Sequence, residues 1–226
     1  RNRTKLQKPY LGDKNRGSGA NIYRLGGKMI KNNYGASDEV FKVSSKRFEM
    51  SPFMPRYTTS ETIFGIYSNR LYPLSTENDP TEGYWNLKQK VMLYDVPEKP
   101  LEIKGRDAVK LLENVFTRNI GDLKIYRARY AIACTFDGGI LMDGVLIRLN
   151  EYKFWYIHAN GDFETWLLAH SKDLNVKIQD PRSRAIQIQG PKAFDVLKLV
   201  IPEIDIIKFK YFHAINFNFM GQNFLV

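Results

Sequence analysis

Cysteine is almost absent from this sequence of 226 residues, in which Cys134 is the single example. One cysteine excludes an intrachain disulfide framework and a cysteine-based metal cluster. The three histidines, His158, His170 and His213, lack the close spacing of metal ligands, so we expect a structural role for each and no metal site. An isolated cysteine in an apolar segment is typical of a core residue in a reducing, cytoplasmic setting.

Long apolar runs are also missing. No stretch of eighteen apolar residues exists, which predicts that nothing in the sequence spans a bilayer. The nucleophile motif GxSxG and the phosphate-loop motif GxxxxGK[ST] are absent as well. With 43% hydrophobic and 26% charged residues, the composition is that of an ordinary globular chain and not of a disordered, collagen-like or coiled-coil protein.

Acidic residues are scarce at one end only. Residues 1–49 contain 12 Lys and Arg against 4 Asp and Glu, which accounts for eight of the ten net positive charges. We interpret this segment as a basic, flexible N-terminal arm and residues 50–226 as a nearly neutral folded body. A solvated tail is the main expectation for the arm, and binding to nucleic acid or another anionic surface is the less favoured alternative.

The body is predicted to be an α+β protein with mostly antiparallel sheets and flanking helices. Two apolar segments flank Asp137-Gly138-Gly139, a pattern typical of a β-hairpin. Apolar spacing predicts further strands at 101–105, 153–158, 176–178, 185–189, 209–212 and 214–219. Helical spacing is found at 84–91, 106–116, 163–169 and 191–200, a turn is expected around 73–83, and the proline-rich segment 51–56 is expected to be non-helical.

Asp143 stands out as a candidate for chemistry. It lies among apolar strand residues and directly before Gly144, which leaves room for a ligand. A carboxylate in such surroundings needs a donor or a cation, and it can accept a proton, orient an amine or face a cationic substrate. The alternative is an ordinary aspartate on an edge strand near the hairpin turn. The aromatic segments 152–156 and 209–219 can line a ligand site, but at strand spacing we expect them in the core.

The order of four segments carries more information than any single motif. The segments 93–120, 127–149, 153–168 and 185–197 contain LEIKGRDAVKLLENVF, YAIACTFDGGILMDG, FWYIHAN and IQIQGP. In this order they resemble the folate-dependent family of the glycine-cleavage T-protein. That family includes aminomethyltransferases, dimethylsulfoniopropionate (DMSP) demethylases, aryl-ether demethylases and the folate-binding parts of sarcosine and dimethylglycine dehydrogenases. The resemblance covers about residues 51–226, and the entry segment SPFMPR is most similar to the DMSP-demethylase branch.

This resemblance implies a cofactor and a site. The cofactor is tetrahydrofolate, and a one-carbon unit is passed to its N5. By position, Asp143 matches the catalytic aspartate near N5, and Tyr130 matches the tyrosine that lines the folate site. Val145 and Ile157 match apolar positions packed around the pterin. The turn Gln189-Gly190-Pro191 matches a family motif for which we expect a structural role.

Two departures from the family pattern bear on the substrate and on the extent of the fold. Ala159 stands where T-proteins have an asparagine, and Asn160 follows it; if the strand continued, Asn160 would point to the opposite face. The pterin-binding glutamate of a later GE-containing segment has no counterpart, so we expect residues 50–226 to be a C-terminally truncated, incomplete folate-binding region.

Three functions follow from the resemblance. The first is transfer of a methyl group from DMSP or a similar sulfonium or amine donor to tetrahydrofolate. The second is an aminomethyltransferase of the glycine cleavage system, with a lipoyl carrier protein as partner. The third is a non-catalytic folate-binding or regulatory protein on the same scaffold. A small-molecule methyl donor is the expected substrate of the first, and neither a membrane nor nucleic acid is an expected partner.

Overall fold

The computed structural model describes residues 23–24, 30–31, 42–43, 47–76, 79–207 and 209–226. Contacts divide the chain into two compact units, Arg1–Pro80 and Thr81–Val226. The proposed basic arm, 1–49, lies mostly outside the described residues, so its flexibility stays a prediction. In the part of the chain that the structure describes, no helix combines the length and the apolar character needed to cross a membrane.

The first unit contains short antiparallel strands. They are β1 (Tyr23–Arg24), β2 (Ile30–Lys31), β3 (Lys42–Val43), β4 (Ile63–Tyr67) and β5 (Arg70–Ser75). The strands form a three-stranded sheet, β1-β4-β5, and a separate β2-β3 pair. A small core of Met54, Phe64 and Leu71 packs in this unit.

Two local predictions fail in this part of the chain. A short 3-10 helix, Met54–Arg56, interrupts the entry segment that was expected to be non-helical. Pro55 at the start of this helix has no N–H to leave unpaired, which makes the position favourable for proline. The turn expected around 73–83 is shorter, because β5 continues to Ser75 and a helix begins at Pro80.

The remaining elements alternate irregularly between helix and strand. The helices are α1 (Pro80–Gln89), α2 (Ala108–Val115), α3 (Phe163–His170) and α4 (Ala193–Val200). The strands are β6 (Met92–Val96), β7 (Lys99–Lys104), β8 (Ala128–Cys134), β9 (Ile140–Asn150), β10 (Lys153–His158), β11 (Lys177–Gln179), β12 (Ala185–Gln189), β13 (Asn216–Phe219) and β14 (Gln222–Leu225). The predicted α+β class with antiparallel pairing is confirmed.

A five-stranded antiparallel sheet organises the second unit, in the order β11-β7-β10-β9-β8. Along α2, buried Ala108, Leu111, Leu112 and Val115 recur at helical spacing and form one apolar stripe. They pack with Phe163 and Leu167 of α3 against one face of the sheet. That face contributes alternate strand residues to the core, namely Leu101, Ile103, Ala131, Ala133, Met142, Leu146, Phe154 and Tyr156. The intervening strand residues point to the opposite face.

The predicted strand 209–212 is wrong. Phe212 has a φ of 56°, a left-handed conformation, and the segment forms a turn in which the His213 N–H donates to the Lys210 carbonyl. The Ala128 N–H donates to the carbonyl of Phe212, so this turn lies beside the start of β8. The strand expected from 214 begins two residues later, as β13, and pairs with β14. Strands β4, β5 and β6 were not predicted.

Candidate functional site

Three of the four predicted site residues form one row across the sheet. Ile157 of β10 is the Cα partner of Val145 of β9, and Val145 is the Cα partner of Tyr130 of β8. All three are on the face of the sheet opposite α2 and α3, because the adjacent residue on each strand points the other way and contributes to the core. Two apolar side chains and one aromatic ring therefore form a continuous strip.

Asp143 is on the same face, two residues before Val145, and it completes the predicted set. The Tyr130 hydroxyl donates a hydrogen bond to Oδ2 of Asp143. This bond to the carboxylate raises the pKa of Tyr130, because removal of the phenolic proton would place two negative charges together. Tyr130 remains 39% exposed and Asp143 is half-buried, so a ligand can reach both. A carboxylate offers several lone pairs, which leaves acceptor capacity for a ligand N–H.

The alternative interpretation of Asp143 as an edge-strand residue is wrong. β9 lies between β10 and β8, and Asp143 is the Cα partner of Ile132. Its main-chain carbonyl accepts a hydrogen bond of 3.3 Å from the Ala159 N–H on the other side. Backbone pairing on both sides therefore fixes the position of the carboxylate.

Gly144 allows β10 to approach β9 closely at this point. A Cβ atom at Gly144 would lie 2.3 Å from the main-chain oxygen of Ile157 and 2.9 Å from Cα of His158. These distances are too short for any side chain, so the glycine is required by packing between strands. The prediction that Gly144 leaves room for a ligand is wrong, because the main chain of β10 fills that space.

The departure from the family pattern lies just after β10, which ends at His158. Ala159 and Asn160 are therefore both outside the strand. Strand alternation therefore does not decide which way Asn160 points. Ala159 is half-buried and packs against the main core.

A buried carboxylate that was not among the predicted site residues lies further along the same face. The Glu102 side chain, 5% exposed, accepts hydrogen bonds from Trp155 Nε1 at 3.0 Å and Gln179 Nε2 at 2.9 Å. It also pairs with Lys153 Nζ at 2.7 Å and Lys104 Nζ at 3.3 Å. The network fixes the Trp155 indole one row away from Ile157. A glutamate between Leu101 and Ile103 was the signal that could have revealed it.

Burial alone would raise the pKa of Glu102. The hydrogen bonds from Lys153, Trp155 and Lys104 and the charge of Lys153 outweigh burial and lower this pKa from 4.5 to about 2. A lowered pKa means that the ionised carboxylate stabilises the fold above pH 4.5, and that this contribution disappears as the pH falls towards 2.

Glu102→Gln should therefore destabilise the protein by about 2 kcal/mol at pH 7, because the charge that binds both lysines is lost. The difference from wild type should shrink as the pH falls from 4.5 towards 2. Urea unfolding at pH 7 and pH 3 measures both effects. Glu164→Gln, on the first turn of α3, is the matched control and should cost less than about 0.5 kcal/mol. A difference that is independent of pH would contradict the assigned role of the charge.

The histidines are dispersed. His158 is buried and stacks on Tyr156, and burial lowers its pKa. His170 contacts Trp166, and His213 contacts Arg127. Among the described residues, no group of three or more His, Cys, Asp and Glu side chains is placed to hold a metal ion.

The fold and this face define a class of protein: an α+β domain with a carboxylate and a tyrosine beside an apolar strip on one face of its sheet. The family model described as the GCVT N-terminal domain matches residues 55–226. The chain belongs to this family, which confirms the predicted relationship to the T-protein. Placement in the DMSP-demethylase branch stays a prediction.

Curated relatives and one solved structure agree with this assignment. An aminomethyltransferase of Chlorobium phaeovibrioides is 32% identical over 130 residues, which are 55% of this chain and 36% of that protein. One from Clostridium botulinum strain 657 is 30% identical over 169 residues, covering 70% and 45%. The crystal structure of the glycine cleavage system aminomethyltransferase T from Bartonella henselae matches with a TM-score of 0.64 at 20% identity, covering 74% and 47%. The chain spans less than half the length of these proteins.

Proposed function

We propose that this chain provides the folate-binding face of a tetrahydrofolate-dependent aminomethyltransferase. The observation that carries the proposal is the placement of Asp143, hydrogen-bonded to Tyr130, beside Val145 and Ile157 on one side of the sheet. The names of the curated relatives support the aminomethyl donor over the sulfonium or amine methyl donor that the sequence analysis put first. Delivery of that donor by a lipoyl carrier protein is part of the proposal.

The residues present fit tetrahydrofolate. A reduced pterin is a flat ring with several N–H groups, so it needs an apolar surface and an acceptor at its edge. Val145 and Ile157 supply the surface, and Asp143 supplies the acceptor. Tyr130 adds an aromatic ring at the end of the row, with its hydroxyl directed at the carboxylate.

When bound, tetrahydrofolate supplies a nucleophilic amine nitrogen, N5. Asp143 would hold the ring by accepting a hydrogen bond and would balance positive charge that develops on it. Tyr130 fixes the orientation of the carboxylate through its own hydrogen bond. The apolar strip excludes water from one side of the ring, which strengthens the interaction of the carboxylate with that charge. Alignment of the two reactants accounts for a further share of the rate.

Calorimetric titration with tetrahydrofolate tests the binding part of this proposal. We expect saturable binding, weakened about fivefold by Val145→Thr, because a hydroxyl beside the ring must lose its hydration. Val109→Thr, on α2 and packed against the main core, is the matched control and should leave the affinity unchanged. No binding by wild type would refute the proposal, and equal losses in both variants would indicate a general effect on folding.

A donor screen with tetrahydrofolate tests the chemical part of the same proposal. The donors are an aminomethyl group on a lipoyl carrier, DMSP, dimethylglycine and a methoxyaromatic compound. Turnover of the aminomethyl donor alone supports the proposal, and turnover of a methyl donor instead supports demethylation. Tight folate binding without turnover of any donor supports the non-catalytic alternative.

A further inference from the structure

His158 is the last residue of β10, and its imidazole ring is buried, with 4% of the residue exposed. The rings of Tyr156 and Phe163 cover it, at 5.8 Å and 6.0 Å between ring centroids. A buried imidazole N–H needs a hydrogen-bond acceptor. Nδ1 of His158 lies 2.7 Å from the carbonyl oxygen of Ala159. Because a carbonyl oxygen can only accept, Nδ1 carries the proton, and this bond fixes the tautomer of the ring.

The residue that this imidazole holds is hydrogen-bonded to the candidate site. The Ala159 N–H donates to the main-chain carbonyl of Asp143 at 3.3 Å, just beyond the residue pair His158 and Gly144 at the end of the β9–β10 ladder. After Ala159 the chain leaves the sheet and turns at Gly161, which has a φ of 136°. Bonds to both its N–H and its carbonyl therefore hold Ala159 at the point where strand pairing ends.

A close contact between main chains strengthens this link. Gly144, the residue after Asp143, is the Cα partner of His158. A Cβ atom at Gly144 would lie 2.9 Å from the His158 Cα, so no side chain separates the two strands here. A shift of the end of β10 therefore displaces the part of β9 that carries the carboxylate.

We propose that His158 is a positioning residue for one-carbon transfer: by holding the Ala159 carbonyl, it fixes the end of β10 and, through it, the carboxylate of Asp143. This inference rests on the proposed function. The imidazole is on the core face, like Phe154 and Tyr156, and therefore acts through the main chain and not by contact with a ligand on the other face. Misplacement of a reacting group by about 1 Å can reduce a rate by about 10²-fold, so a small displacement is enough.

Amide hydrogen exchange at Ala159, followed by NMR on the protein without ligand, tests the structural part of this inference. His158→Leu keeps a buried apolar side chain but cannot donate, so exchange should become about tenfold faster or more. His158→Asn places an amide N–H close to the position of Nδ1, and exchange should stay within about threefold of wild type. His170→Leu is the matched control. Nδ1 of His170 donates to the Trp166 carbonyl at 2.9 Å within α3, and its loss should leave exchange at Ala159 unchanged.

Single-turnover transfer with saturating tetrahydrofolate, and with the donor that wild type uses, tests the role in the reaction. At pH 8, His158→Leu should lower the rate constant about tenfold, while the affinity for tetrahydrofolate changes little because the apolar strip is unaltered. His158→Asn should restore the rate to within about twofold of wild type, and His170→Leu should have no larger effect.

The dependence on pH separates positioning by the imidazole from a general contribution to folding. Burial lowers the pKa of His158 below 6.5; Lys99 on β7 also lowers it, and Asp162 before α3 opposes this. Lys99 is itself paired with Asp180 at 2.9 Å. As the pH falls below 6.5, the buried ring gains a charge and is displaced. The ratio of the wild-type rate to that of His158→Asn, which cannot titrate, should therefore decrease as the pH is lowered from 6.5 to about 5.

Unchanged exchange at Ala159 in His158→Leu would overturn the inference and leave the proposed function intact. Equal losses of transfer in His158→Leu and His158→Asn, or in His158→Leu and His170→Leu, would do the same. If His158→Leu does not fold, the comparison of wild type with His158→Asn decides, and a rate ratio independent of pH would overturn the inference. Absence of transfer by wild type with every donor would overturn the proposed function and the positioning role with it.

Discussion

Asp143→Asn should lower the rate of one-carbon transfer by about 10²–10³-fold, the loss expected when an electrostatic stabiliser of the transition state is removed. The amide has nearly the same shape and still accepts a hydrogen bond from the Tyr130 hydroxyl, but it has no charge to balance the developing positive charge. We therefore expect the loss in kcat and only a small change in folate affinity. Single-turnover kinetics with saturating tetrahydrofolate measure the chemical step directly.

Asp137→Asn provides the control for this substitution. Asp137 is in the turn of the same β8–β9 hairpin, where it accepts a hydrogen bond from the Thr135 hydroxyl, and it is exposed. Its replacement should leave kcat within about twofold, since surface changes rarely exceed 0.5 kcal/mol. If Asp143→Asn retained full activity, the carboxylate would have no part in catalysis.

Gly144→Ala should destabilise the protein by about 3 kcal/mol or more and can prevent folding altogether. The new methyl group would lie 2.3 Å from the Ile157 oxygen, which belongs to backbone and cannot rotate away. Strands β9 and β10 would have to separate, and that breaks the hydrogen bonds between these two strands beside Asp143. Urea denaturation followed by circular dichroism gives the free energy of unfolding.

Gly83→Ala is the matched control for the glycine substitution. Gly83 is inside α1, and a Cβ atom there meets nothing within 4 Å. Alanine is the better helix former, so this variant should be more stable than wild type by about 0.5–1 kcal/mol. A Gly144→Ala protein as stable as wild type would show that the strands can separate without cost.

The position of Asp143 could be predicted from the sequence because the signals are local. The hairpin turn at 137–139 sets the start of β9, and alternation then places 143 and 145 on the same face. The family resemblance directed attention to Tyr130 and Ile157, and the strand register brings both beside Val145. Their roles in binding stay predictions until a folate is titrated.

Other features depend on contacts between residues that are far apart in sequence. The Glu102 network joins Trp155 and Gln179, which are 53 and 77 positions away, and no local pattern indicates that they meet. The segment 209–212 is rich in aromatic residues, which are typical of strands, yet it forms a turn. Its left-handed conformation accompanies a hydrogen bond to Ala128 in a distant strand. Tertiary pairing overrides local preference in such segments.

The alternation along β9 also determines which kinds of genetic change this domain tolerates. Met142 and Leu146 support the core, whereas Asp143 and Val145 are on the opposite face, where we propose that the folate binds. Substitutions at Val145, which is only half-buried, should therefore cost less stability than substitutions at Met142 or Leu146. An insertion or deletion of one residue would exchange the two sets and bury the carboxylate in the core. Changes that preserve the fold should therefore be substitutions at positions such as 143 and 145, with the length of the strand unchanged.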